Sequence, residues 1–291
     1  MITVEGVKKY QLTFFQRNSQ KIAQIIIVLI LILITSPIIL GYAWLILRSF
    51  SEDMVQGFIP TKLTLKNWRF LWQNIEGYPS IWKITMNTFL LALGVMVIEI
   101  LITSMGGYAL SRYEFPGRSS ILRLILVLHA FPAISLMVAI FYVLWTLGLL
   151  NKLWGIILVK ASLEIPWGTW VMKGFYDGIP WELEWAGLVD GYSRLQVWRK
   201  VILPIAKPGI AVTAIFAFLS GWSEFVFVNT FIFEQQTWTL SKYVKGIIGD
   251  FRFVDYGLLT AVGLFYVIPT IVFFFFVSKY MIKLTIGGVK G

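Results

Sequence analysis

The chain contains no cysteine and a single histidine, His129. The first absence excludes disulfides and thiolate metal sites, and the second leaves His129 without a companion His or Cys to share a metal ion. Charge is scarce as well, at 14% of 291 residues. No internal repeat or low-complexity linker is evident, and no catalytic constellation stands out. A G-x-x-x-x-G-K-[ST] loop is also missing, so the chain lacks that backbone cradle for nucleotide phosphates.

What is present is apolar. Hydrophobic residues make up 58% of the chain and aromatics 16%, with a mean hydropathy of +0.77. A bilayer core roughly 30 Å thick needs about 20 mostly apolar residues per spanning helix. Such runs lie at 23–47, 87–110, 121–147, 153–174, 206–232 and 258–281. Backbone groups in lipid must be paired within the segment, and these runs are too continuous for alternating barrel strands. The expected class is an all-α polytopic membrane protein with about six transmembrane helices. The first run is longer than a secretory h-region of about 7–15 residues, so it reads as an uncleaved span behind the segment 1–22.

The net charge of +10 raises the question of nucleic acid. With the N-terminus in the cytoplasm, Arg112, Arg118, Arg123, Arg194, Arg199, Lys200 and Lys207 all fall on the cytoplasmic side. The external side keeps a smaller share, Arg48, Lys62, Lys66 and Arg69 among it. That bias is the positive-inside pattern, with both termini cytoplasmic, and it accounts for the basic pI without nucleic acid. The organisation expected is a span at 23–47, an external loop at 49–85, a membrane domain at 87–278 with a second external loop at 233–257, and a cytoplasmic tail at 279–291.

One short stretch, "WELEWAGLVDGYSRLQVWRKVILP" at 181–204, breaks the apolar pattern on the cytoplasmic face. Pro180 suits a first helical turn, and Glu182 and Glu184 fall where the helix dipole favours acids. Asp190-Gly191 signals a turn, and Ser193 followed by Gln196 forms a capping-box pattern for a second helix. Leu203-Pro204 is expected to stop that helix. Trp181, Trp185 and Leu188 recur at i, i+4 and i+7 as one apolar stripe, while Ala186, Gly187 and Gly191 leave room for close approach. Pattern alone allows either an interfacial helix or a docking helix for a cytoplasmic partner.

The stretch resembles the cytoplasmic motif of ATP-binding-cassette (ABC) importer permeases, E-A-A, three residues, G, nine residues, I-x-L-P. Ala186 and Gly187 take the two small positions, Gly191 the glycine, Val201 the isoleucine, and Leu203-Pro204 close it. Trp185 stands where the family usually has its glutamate. "MNTFLLALG", "YALSRYEFPGR", "LGLLNKLWGIILV", "GWSEFVFVN" and the terminal "GGVKG" look like the carbohydrate-importer branch, particularly its maltose-type G subunit. The resemblance implies a type I importer permease fold in the cell membrane. It also implies a second homologous permease, two ATPase subunits that use ATP and Mg, and an extracytoplasmic sugar-binding protein, with no cofactor in this chain. Glu182, Glu184, Trp185, Ala186, Gly187, Asp190, Gly191, Leu203 and Pro204 are then the expected ATPase-coupling residues. The ATPase surface is expected to pack on Gly187 and Gly191, and Trp185 to act as an aromatic anchor.

Glu99, His129, Lys160, Glu164 and Glu224 lie in or beside the expected spans. Charges at mid-bilayer cost roughly 2.5–3.5 kcal/mol on insertion scales, so such groups face protein or water. Lys160 and Glu164, four apart, are expected to pair. Trp222, Glu224 and Asn229 are the expected substrate-path residues, through stacking and hydrogen bonding, although helix packing explains Glu224 equally well. The alternatives within the class are importers of glycerol-phosphate or another polar solute. Outside it, a secondary transporter would need a coupling-ion site and paired repeats that the sequence does not display.

Overall fold

Proline interrupts one of the long apolar runs of this chain and is carried inside the helices of others. The computed structural model describes residues 14–249 and 254–287, with side chains described over 21–249 and 254–275. The basic residues of the first segment other than Lys21, Arg252, and the tail with its "GGVKG" end lie outside the described side chains.

Helix α1 (Phe14–Ser49) extends the first run at both ends and leans on the C-terminal helix, its apolar surface otherwise unburied. The loop after it holds a short antiparallel hairpin, β1 (Met54–Val55) with β2 (Ile59–Pro60). Asn67 secures this loop by donating its amide to the Ser49 and Ser51 carbonyls at 3.1 and 2.9 Å. Helix α2 (Ile81–Arg112) is the central post, packed against α5 and α9 as described below. Its Leu91, Ala92 and Val95 are wholly buried. At Gly107 the backbones close in: an added Cβ would lie 2.8 Å from Met172 Cβ on α5. Gly106 is less crowded, 3.7 Å from Thr169.

The run expected as one span at 121–147 is instead two helices, α3 (Arg118–Ala130) and α4 (Met137–Thr146), joined by a 3-10 turn at Ala133–Leu136. The chain bends there by 93°. Pro132 is the cause: it holds Phe131 at ψ 127, outside the helical region, and ends α3. Helix α5 (Leu153–Asp177) then runs 25 residues with Pro166 inside it.

After α5 come α6 (Trp181–Val189), α7 (Arg194–Val197), a π-helical turn at Trp198–Ile202, and the short α8 (Leu203–Ile205). The expected stop at Leu203-Pro204 is not where the helix ends. Pro204 is absorbed into the first turn of α8, where its missing N–H costs little, and the break falls at Ala206. Helix α9 (Lys207–Trp222) follows, then three non-helical residues and α10 (Val226–Phe231). An outer amphipathic helix, α11 (Leu240–Ile248), lies against the start of α2, with Tyr78 donating to the Gly246 carbonyl at 2.8 Å. Helix α12 (Tyr256–Gly287) packs on α9 and α1.

Among the described residues four stretches are long and apolar enough to cross a membrane: Lys21–Ser49, Ile81–Arg112, Lys207–Phe231 and Tyr256–Phe275. The bent pair α3 and α4 brings the number to at most five. The expected fourth span, 153–174, falls in α5, long enough to cross but made more polar by Lys160 and Glu164.

Candidate functional site

Two places gather the chemistry-bearing residues. The first is the α6–α7 hairpin. The Ser193 capping box forms as the spacing predicts: Gln196 N–H donates to Ser193 Oγ at 3.4 Å, and Ser193 N–H donates to Gln196 Oε1 at 2.8 Å. Gly191 sits in the turn at φ +85, a conformation glycine adopts without strain, and the space beside it is open. Pro180 occupies the position just before α6.

The two acidic residues of α6 part company. Glu182 is exposed, whereas Glu184 is buried. Tyr108 donates its hydroxyl to Glu184 Oε1 at 2.8 Å. Arg112 Nε lies 3.3 Å from Glu184 Oε2, an electrostatic pair without hydrogen-bond alignment, and both side chains are 1% exposed. The Arg112 guanidinium also donates to the Tyr176 and Ile179 carbonyls at 2.9 and 2.6 Å and stacks over Trp181, 4.5 Å from its ring centre. One cation thus joins the end of α2, the end of α5 and the hairpin. Sequence spacing did not expose this latch: Arg112 and Glu184 are 72 residues apart, and only folding brings them together.

The expected apolar stripe divides. Trp181 and Trp185 face outward with their rings 6.3 Å apart, and Val189 joins them on the surface, but Leu188 turns into the core beside Val201 and Trp198. Gly187 corrects the sequence expectation. Its free space is filled by this chain's own Val197, whose Cγ2 would lie 3.0 Å from an added Cβ, so no outside surface reaches it. Hairpin closure, not partner docking, requires the glycine there. The outer face left open comprises Glu182, Trp185, Ala186, Val189 and Asp190, with Pro204 exposed further along; Leu203 is half-buried.

The second place lies inside the bundle. Glu164 is near the midpoint of α5, about 16 Å along from its first residue at 1.5 Å per residue. Lys160 Nζ sits 3.2 Å from Glu164 Oε1, the pair expected from spacing, and also 3.1 Å from Glu224 Oε2. Glu224 belongs to the break between α9 and α10. Its Oε1 accepts from Phe227 N–H at 2.8 Å, capping α10, and its carbonyl accepts from Ser241 Oγ at 2.6 Å. Ser220 donates its hydroxyl to Glu164 Oε1. Glu99 on α2 is fully buried against Gly168 of α5, and neither of its oxygens has a hydrogen-bond partner among the described residues.

The three expected substrate-path residues have different surroundings. Trp222 is buried, stacked on Phe218 and Tyr266, with its indole N–H donated to the Tyr266 carbonyl at 3.2 Å. Asn229 is tied to the outer loop, accepting from Lys245 Nζ at 2.9 Å. Beside it, Lys242 donates to the Ile232 carbonyl; burial, with the neighbouring Lys245, lowers its pKa below the ordinary lysine value. Trp222 lines an apolar cavity of about 400 Å³ with Trp82, Phe89 and Phe273, and a separate, more polar cavity of about 310 Å³ opens among His129, Glu164, Trp167, Phe216, Ser220 and Ser223. Among the described residues no group of three or more His, Cys, Asp or Glu side chains is placed to hold a metal ion.

The described residues thus form a bundle of bent and broken spans, closed at one end by a latched helical hairpin. Residues 102–283 match the family described as binding-protein-dependent transport system inner membrane component, and the chain belongs to that family. It is thus an inner-membrane permease component of a binding-protein-dependent importer, rather than an enzyme. The maltodextrin transport system permease protein MdxG of Bacillus subtilis is 30% identical over 70% of this chain and 74% of its own length. The galactooligosaccharides transport system permease protein GanQ of the same organism is 31% identical over 80% of this chain and 82% of its own. Among solved structures, a bacterial ABC transporter involved in import of the acidic polysaccharide alginate superimposes with a TM-score of 0.78. That alignment covers 90% of this chain and 97% of the other at 22% identity, which is a likeness of fold: the type I ABC importer permease.

Proposed function

We propose that this chain forms one half of the membrane pathway of an ATP-driven importer of di- or oligosaccharides. The other half is a second, homologous permease, and ATP and Mg are used by two partner ATPases on the cytoplasmic side. The observation that carries the coupling role is the hairpin: its outer face is open, while the buried Glu184–Arg112 pair ties it to α2 and α5. An ATPase that grips the hairpin therefore moves two spans as a unit, which is what alternating access by rigid-body shifts requires. Trp185, with Glu182, Val189 and the Asp190-Gly191 turn beside it, is the face proposed to meet the ATPase. The sugar class rests on relatives that carry maltodextrin and galactooligosaccharides.

The test is reconstitution of the chain with its partner permease, ATPases and binding protein in proteoliposomes. ATP-dependent accumulation of a labelled sugar is the expected result. Accumulation of glycerol-phosphate but of no sugar, or sugar uptake that persists without any ATPase, would overturn the reading.

A further inference from the structure

Two helix breaks meet at one cavity. His129 stands at the end of α3, just before the 93° bend at Pro132, and Ser223 is the first residue of the gap between α9 and α10. Both line the 310 Å³ space together with Glu164 and Trp167 of α5. Irregular backbone within a membrane bundle is tolerated where it lines a polar cavity, and midplane binding sites form at such discontinuous helices. The volume is at the lower end of small-molecule pockets.

We infer that this cavity is a sugar subsite of this subunit, selective for uncharged polyhydroxylated solutes over acidic ones. The inference rests on the proposed sugar-import function and names the class of sugar. Its selectivity follows from charge. Lys160 is held between Glu164 and Glu224, at 3.2 and 3.1 Å, so one cation faces two carboxylates and the triad is negative overall. The carboxylate that reaches the cavity is Glu164, which accepts hydrogen bonds from sugar hydroxyls and repels a uronate or phosphate. Ser220 and Ser223 add hydroxyl partners, and Trp167, edge-on to Phe216 at 5.1 Å, offers an indole face for a pyranose ring. The fold relative that imports an acidic polysaccharide thus differs from this chain in the charge its path must accept.

The experiment is equilibrium binding of radiolabelled maltotriose, galactotriose and trimannuronate to the purified whole complex without binding protein, run beside uptake by the complete system. At least one neutral trisaccharide is expected to bind at least about tenfold more tightly than trimannuronate. Trp167→Ala should weaken that binding at least about tenfold, and so should Ser223→Tyr, which fills the cavity from an exposed position and spares the packed interior. Glu164→Gln should narrow the gap between neutral and acidic sugars. Trimannuronate binding as tightly as the neutral sugars, or neutral binding untouched by all three substitutions, overturns the subsite. Uptake of neutral sugar with no binding to the complex also overturns the subsite and leaves the import function standing. A wild-type system that takes up no sugar at all defeats the function itself.

Discussion

The hairpin latch and the interior triad are both ion-paired networks built on glutamate, and they are solved in opposite ways. Arg112 and Glu184 are sealed, with Tyr108 and two backbone carbonyls completing the set of partners. The interior triad is open on one side only: the Lys160 and Glu164 side chains are 17% and 23% exposed and Glu164 borders a cavity, while Glu224 behind them is buried. A sealed pair gains from a low dielectric and suffers if either member is lost, because the survivor has no water to turn to. An open triad is softer, since water or solute can replace a missing partner. The first arrangement suits a mechanical joint, and the second suits a surface that exchanges ligands.

The sharpest way to break this contrast is Arg112→Ala. It strands Glu184 in the interior and frees the carbonyls of Tyr176 and Ile179, so a loss of about 3–5 kcal/mol is expected. Thermal unfolding of the purified subunit and retention of the ATPases would register it; unchanged values would mean the latch carries no load. Trp185→Ala comes next. The residue is 56% exposed, so the subunit's own stability should hold while ATPase affinity falls by about 2 kcal/mol, as for an aromatic hot spot. Trp185→Glu sharpens the same point, because a carboxylate driven into an apolar cleft should also impair coupling; full activity in that variant would reject the anchor. Replacing Lys160 with Met in the open triad should cost less than the Arg112 change, about 1–3 kcal/mol, with the effect read in sugar selectivity as much as in melting temperature. A larger loss than for Arg112→Ala would invert the comparison. The smallest effect belongs to Ser193→Ala, which removes a cap at a cost of about 1 kcal/mol. Hydrogen exchange localised to α7 is its signature, and protection unchanged from the parent chain would show the cap to be dispensable.

Much of the fold was legible because its signals are local. Apolar runs mark the spans, Ser193 and Gln196 write out a capping box three residues apart, and Lys160 with Glu164 pair one helical turn apart. Pro132 was visible as well, but its effect was not. Whether a proline kinks a span or breaks it depends on what neighbouring helices offer the freed backbone, and that is a tertiary matter.

By itself, then, the sequence determined the helical membrane class, the position of the hairpin between spans and the motif spacing from Ala186 to Pro204, since each depends on residues within a few turns of one another. Tertiary structure alone decided the roles within that frame. It turned Glu184 inward to Arg112, gave the space at Gly187 to Val197, buried Trp222, and drew Glu224 to Lys160. The physical reason is the same in each case. The energy of a buried charge or a missing Cβ is set by the atoms packed against it, and those atoms come from helices far away in the chain.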